Sequence, residues 1–349
     1  MGILQKLLRT SAADWTYESI DSKHVADGLD HVLIKPRTSY ISIFLHSMRI
    51  VDVRKGWNKF YPAVHSYISI PHQGGEAAEF QVVTSPSKML ELDAAHVDRV
   101  IAVNHRLLGP APYRGGDLKI EIGLFSVKSS DLAKPFLSVL ETMATTAGVS
   151  FVTVAKPFVD PIKMGLELLT GSHDLTLEIG LATTLNKPET GYFFVMRAAR
   201  GTLDVSDLRV AKDGRLVDRS NQPVSNYPYL VFRVEASDAR DDWFLIPDIA
   251  AIHSELQKSV RAGKGTATEQ LLAEFKRVVL TSPDLLPNDA QRLANEITAE
   301  VEKAIPTQLT KTASAKLRSL KSINLFPKRS NKTVQKIESP QKHRLRSRL

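Results

Sequence analysis

The chain has 349 residues, 43% of them apolar and 24% charged, with 46 Lys and Arg against 38 Asp and Glu and no cysteine. That length suits about two domains, and it can bury most of its apolar surface without covalent staples. The missing cysteines exclude disulfides, thiolate zinc sites, iron–sulfur clusters and cysteine nucleophiles.

The formal charge of +8 is unevenly placed. Residues 307–349 carry 12 of the 46 basic residues and a single acidic one, Glu338, so this tail is +11. That leaves 34 basic and 37 acidic residues in 1–306, a body of net −3. A polycationic extension seeks polyanions, either nucleic acid phosphate or an acidic membrane surface.

Residues 1–35 read as an N-terminal segment. Its apolar stretch, GILQKLL, is broken by Lys6, which also stands where a myristoylation pattern wants Ser or Thr. Residues 39–47 (SYISIFLHS) and 65–70 (HSYISI) then read as strands, and both contain SYISI. A longer echo follows. Residues 117–124 (DLKIEIGL) and 174–181 (DLTLEIGL) agree at six of eight positions, with apolar residues at every second place. This spacing predicts two equivalent strands of one sheet, each with one buried face.

Between those strands the period becomes helical. Ser130 can cap a helix whose stripe is Leu132, Phe136, Val139, Leu140 and Met143, and Gly148 suits its end. The following stretch sets Phe151, Val154, Phe158, Ile162 and Leu166 opposite Lys156, Asp160, Lys163 and Glu167, with Pro157 and Pro161 as kinks. The insertion at 129–170 is therefore expected to be a helical pair that packs on the sheet or meets a membrane or a protein partner. Its charges are too evenly spaced for a transmembrane span.

Strands resume at residues 191–198, at a hairpin turning on Asp213-Gly214, and at residues 229–235. From Pro247 the stripe Ile249, Ile252, Leu256 and Val260 predicts a helix ending at Gly263. Thr268 and Asn288 are candidate caps for two more, and Pro306 closes the third. The expected fold class is α+β: an antiparallel β-sandwich over 36–238 with a two-helix insertion, then a small three-helix unit over 239–306 and a basic tail over 307–349.

Motifs with mechanical content are scarce. Gly263-Lys264-Gly265-Thr266 lacks the first glycine and final Ser/Thr of a phosphate loop and reads as a helix–helix turn. The ten histidines show no spacing that would gather imidazoles with a carboxylate, so neither a metal nor a cofactor is expected. Arg240-Asp241-Asp242-Trp243 offers two adjacent carboxylates, but its place between sheet and helices predicts a turn anchored by Trp243 and Phe244. No catalytic residues are assigned, and a hydrolase using Asp241, Asp242 or the scattered histidines is kept only as a third reading.

Two binding surfaces stand out. The stretch between the SYISI strands, read as a loop, interleaves Arg54, Lys55 and Lys59 with Trp57, Phe60 and Tyr61, a mixture that grips phosphate, stacks bases or enters a bilayer interface. In the tail, residues 309–326 read as a basic amphipathic helix with Leu309, Ala313, Leu317, Leu320 and Ile323 on one side. Its cations are Lys311, Lys316, Arg318 and Lys321, and beyond Pro327 a polar stretch adds Lys328, Arg329, Arg344, Arg346 and Arg348. The sequence thus favours a non-enzymatic, cytoplasmic interaction protein that docks peripherally on an anionic membrane. Nucleic acid is the alternative polyanion.

Overall fold

The computed structural model describes residues 16–51, 54–55, 58–71, 77–83, 101–128, 175–198, 202–263 and 265–304. Among them the strands are β1 (Thr16–Ile20), β2 (Ser39–Arg49), β3 (Arg54–Lys55), β4 (Asn58–Pro71), β5 (Ala77–Val83), β6 (Ile101–Tyr113), β7 (Leu118–Lys128), β8 (Leu175–Leu185), β9 (Gly191–Met196), β10 (Arg209–Val210), β11 (Leu216–Val217) and β12 (Tyr229–Ser237). Three helices follow, α1 (Pro247–Arg261), α2 (Gly265–Thr281) and α3 (Pro287–Ala304). The helical pair expected at 129–170 and the tail at 307–349 lie outside the described residues.

The strands form two five-stranded sheets and one small ribbon. The first sheet runs β1-β9-β12-β2-β6; the second runs β3-β4-β7-β8 with β5 also on β4. Every pairing between these strands is antiparallel. The eight-residue echo turns out to be β7 and β8, direct neighbours with Gly123 opposite Gly180. The two SYISI copies take one sheet each, in β2 and β4.

Alternation decides which faces are buried. Leu118, Ile120, Ile122 and Leu124 of β7 are buried and Lys119 is exposed. They share one cluster with Ile41, Ile43 and Leu45 of β2, Val64 and Ile68 of β4, and Phe232 and Val234 of β12, so both sheets contribute to a single core. The opposite face of the first sheet has a second cluster. There Tyr192, Phe194, Met196, Tyr229 and Val231 are covered by Leu208, Val210, Leu216 and Val224 from the β10–β11 region. The tyrosine hydroxyl of Tyr229 accepts from the backbone N–H of Leu216 at 3.1 Å. This cover explains why β12 is buried on both faces from Tyr229 to Phe232.

Three strands run beyond the sequence reading. β1, within the segment 1–35, adds to the edge of the first sheet by pairing with β9. β5 and β6 are likewise strands; β6 contains Pro110 and Pro112, which an edge strand tolerates because one row of its N–H groups has no ladder partner. The stretch 54–61, read as a loop, is instead partly strand: Arg54 pairs with Lys59 and Lys55 with Asn58, and β4 continues through Phe60 and Tyr61 against β7. The ladder with β7 extends β4 past the point where charge density alone suggested a loop.

The helices have their own core of Trp243, Ile249, Leu256, Phe275, Leu293 and Ile297. α2 and α3 begin at Gly265 and Pro287, each ahead of its expected cap at Thr268 or Asn288. Thr268 is buried and its hydroxyl meets that of Ser259 at 2.8 Å, so the residue ties α1 to α2 instead of capping α2. Proline at the first helical position supplies the start of α3, since it has no N–H to leave unsatisfied. Ser259→Ala should cost about 1 kcal/mol of unfolding free energy, the usual net value of a neutral hydrogen bond, measured as a lower urea midpoint at unchanged slope.

Candidate functional site

The structure describes part of the stretch expected to be a binding loop. Arg54, Lys55 and Lys59 fall on the paired β3 and β4, with Phe60 and Tyr61 next along β4, while Trp57 lies outside the described residues. The backbone register places Arg54 opposite Lys59 and Lys55 opposite Asn58. The tail cations Lys311, Lys316, Arg318, Lys321, Lys328, Arg329, Arg344, Arg346 and Arg348 all lie outside the described residues.

A polar tract that the sequence did not disclose crosses the first sheet. Register aligns Tyr192 of β9, Arg233 of β12, Phe44 of β2 and Arg106 of β6 in one line. Both guanidinium carbons lie against the Phe44 ring, Arg233 at 4.6 Å and Arg106 at 5.4 Å from its centroid. Each cation also has a carboxylate partner, Glu235 for Arg233 at 2.7 Å and Asp242 for Arg106 at 3.5 Å. The row is thus neutralised internally. Charge compensation makes it a cover for the sheet and not a free cationic surface.

Asp242 connects this row to a buried hub between sheet and helices. Arg240, fully buried, donates from Nε to Asp242 at 2.7 Å and from Nη1 to the carbonyls of Pro110 at 2.8 Å and Asp284 at 3.3 Å. Its backbone N–H donates to Asp289, which also accepts from the Tyr40 hydroxyl at 2.8 Å and from Arg292. The Tyr40 oxygen accepts in turn from the N–H of Leu286. Burial, with Asp289 beside it, pushes the Tyr40 phenol well above its ordinary range. Gly109 lets β6 come this close: its φ is +90°, and a side chain there would collide with the Ile41 carbonyl.

Those contacts decide the fate of the adjacent carboxylates. Asp242 is engaged by two guanidiniums and Asp241 is exposed, so the two are not held together as a proton-sharing pair. Trp243 and Phe244 do anchor the helices, with Trp243 edge-on to Phe244, His253 and Phe275. In the sequence, Arg240-Asp241-Asp242-Trp243 was the one legible signal of this hub. Tyr40 and Asp289 carried none, being far from it along the chain.

Two histidines are held neutral by the fold. Burial lowers the pKa of His253, and burial with Arg233 nearby lowers that of His46, from the ordinary 6.5. Below that pH the unfolded chain therefore binds more protons than the folded one. Their contribution to stability is intact above about 6.5 and is lost as the pH falls. His253→Phe should flatten the decline of the urea midpoint between about pH 6.5 and 5; an unchanged slope would mean that His253 does not titrate on unfolding.

No group of three or more His, Asp or Glu that could hold a metal ion occurs among the described residues. No described helix is long and apolar enough to cross a membrane. Comparison with protein-family models, with characterised proteins and with solved structures finds no match to this chain.

Proposed function

We propose that this chain is a non-enzymatic interaction protein that docks on an anionic surface through its basic tail, with a membrane as the favoured surface. One observation carries the reading: the segregation of +11 onto residues 307–349 from a body of −3. The body then serves as a rigid platform, an antiparallel β-sandwich in which two sheets share one core. The three-helix unit is fastened to that platform by the Arg240 hub. The tail's leucines favour a membrane because amphipathic basic helices bury apolar side chains among acyl chains while their cations meet headgroups. Location at the cytoplasmic face of such a membrane follows from the same reading.

The β3–β4 pair supports nucleic acid as the second reading, since Arg54 and Lys59 are register partners and Trp57, Phe60 and Tyr61 stand close to them in the sequence. One experiment separates the two. The full chain and a chain ending at Pro306 are compared for pelleting with phosphatidylserine-containing vesicles and for retarding duplex and single-stranded DNA. Vesicle binding that disappears with the tail supports the membrane reading. DNA binding that survives truncation but fails in Trp57→Ala with Lys59→Ala transfers the function to the hairpin. If truncation alters neither assay, the tail is not a docking element.

A further inference from the structure

A folded body that meets a bilayer needs apolar side chains standing clear of its surface, with cations beside them that have no partner. One place among the described residues has both. Val32 and Leu33, 57% and 51% exposed, have the two highest exposures of any large apolar side chain described, and they are neighbours in the chain. Single exposed aliphatics need no explanation, whereas an adjacent pair held fixed in water does.

Hydrogen bonds hold this tip. Leu33 bridges Glu189 in antiparallel fashion. The Val32 N–H donates to Thr190 Oγ1 at 3.0 Å, the Thr190 N–H donates back to the Val32 carbonyl at 2.9 Å, and the Ile34 N–H donates to the Pro188 carbonyl at 2.9 Å. The Thr190 hydroxyl donates to the Asp30 carbonyl at 2.6 Å. Both flanks are anchored: the His31 ring lies edge-on to Phe193 and fills the space a side chain at Gly191 would take, while Ile34 is buried in the shared core. Between these anchors, Val32 and Leu33 are left in water.

Cations flank the tip. Lys35 follows Ile34 and Lys187 precedes Pro188, so the two leave the Ile34–Pro188 hydrogen bond at the same end, with Arg37 two residues further on. All three are exposed, and none is in an ion pair among the described residues. By contrast, Arg106, Arg233, Arg240 and Arg292 are each bound to a carboxylate. Asp30 and Glu189 offset two of the three charges, so the apolar pair, and not net charge, makes this a bilayer contact.

We propose that Val32 and Leu33 form a lipid-insertion tip, entering the interface of an anionic membrane while Lys35, Arg37 and Lys187 meet its headgroups. The inference rests on the tail-docking reading above and adds to it a second contact, borne by the body. Both contacts are within reach of one surface. The Arg37 N–H donates to the Tyr113 carbonyl, and the next residue, Arg114, donates to the carbonyl of Pro283 just ahead of α3, so the tip lies at the end of the sandwich where the helices are fastened. α3 carries the chain on by 18 residues, about 27 Å at 1.5 Å per residue, and the tail that follows is long enough to return across that distance. Two contacts engaged at once bind more tightly than either alone.

Because the chain has no cysteine, a single one can be introduced and labelled with an environment-sensitive dye. The full chain carrying Leu33→Cys is compared with one carrying Ser220→Cys, at an exposed position in the turn after β11, on phosphatidylserine-containing vesicles with and without a lipid-borne quencher. The dye at position 33 should shift to the blue and be quenched, and the dye at position 220 should do neither. Val32→Asp with Leu33→Asp should weaken vesicle binding by about tenfold while leaving the urea midpoint unchanged, since both side chains stand in water in the free protein. Vesicle binding with no shift at position 33, equal shifts at both positions, or undiminished binding of the aspartate variant would overturn the tip and leave the tail reading standing. No vesicle binding by the full chain would remove both. A shift at position 33 that grows with protein concentration without lipid would assign the tip to a second copy, and would equally overturn the proposal.

Discussion

Replacing Arg240 with alanine should lower the free energy of unfolding by about 3–5 kcal/mol, the usual cost of removing one partner from a buried charge pair. The side chain is fully buried, and its loss leaves Asp242 without the shorter of its two ion pairs and removes the donor to the carbonyls of Pro110 and Asp284. These acceptors belong to different parts of the molecule. Pro110 is in β6 of the first sheet, and Asp284 lies between α2 and α3. The substitution should therefore loosen the fastening of the helical unit as well as lower the midpoint. Hydrogen exchange should show the helices losing protection ahead of β7 and β12. Tyr40→Phe gives a graded comparison, since it deprives Leu286 N–H of its acceptor and should cost about 1–3 kcal/mol. If Arg240→Ala unfolds in urea at the wild-type midpoint, the hub does not hold the two parts together.

Ending the chain at Pro306 should abolish vesicle binding while leaving the unfolding midpoint within experimental error of the full chain. The tail carries 12 basic residues, and each one held close to an anionic membrane contributes about 1 kcal/mol. Engagement of only half of them would change affinity by roughly 10⁴, since each 1.4 kcal/mol is tenfold. Raising the salt should weaken binding, because the attraction is screened beyond about 8 Å at physiological ionic strength. The nucleic acid reading predicts a steeper response, about 10³ to 10⁵ in affinity between 50 and 200 mM salt for six to ten phosphate contacts. A further variant separates them by chemistry. Leu317→Asp with Leu320→Asp should cripple vesicle binding far more than its change in charge would, but should reduce DNA binding only by that charge. Equal losses in both assays would remove the leucine stripe from the mechanism.

Legibility along this chain followed periodicity. The alternating DLKIEIGL and DLTLEIGL segments announced β7 and β8 because one buried face imposes a two-residue period that local reading detects. The stripe from Ile249 to Val260 announced α1 for the same reason at a helical period. β1 and β6 escaped because an edge strand, whose outer row of N–H groups has no ladder partner, tolerates charge and proline that read locally as breaks. Thr268 was misassigned as a cap because a threonine suits either a helix start or a buried hydroxyl contact, and only the facing Ser259 decides between them. The candidate loop at 54–61 was misjudged in form: its cations were visible, but its strand pairing depends on β7, nearly seventy residues further along.

The sequence by itself determined the charge segregation, the absence of cysteine chemistry, the alternation of the principal strands and the three C-terminal helices. Each of these is a property of single residues or of spacing over a few turns, so no distant partner is needed to read it. Only the tertiary structure decided the order of strands in the two sheets, the Tyr192–Arg233–Phe44–Arg106 row, and the hub of Arg240, Tyr40 and Asp289. The physical reason is separation. Tyr40 and Asp289 are 249 residues apart, and their hydrogen bond exists because burial excludes water from both, a condition set by packing and not by any local pattern.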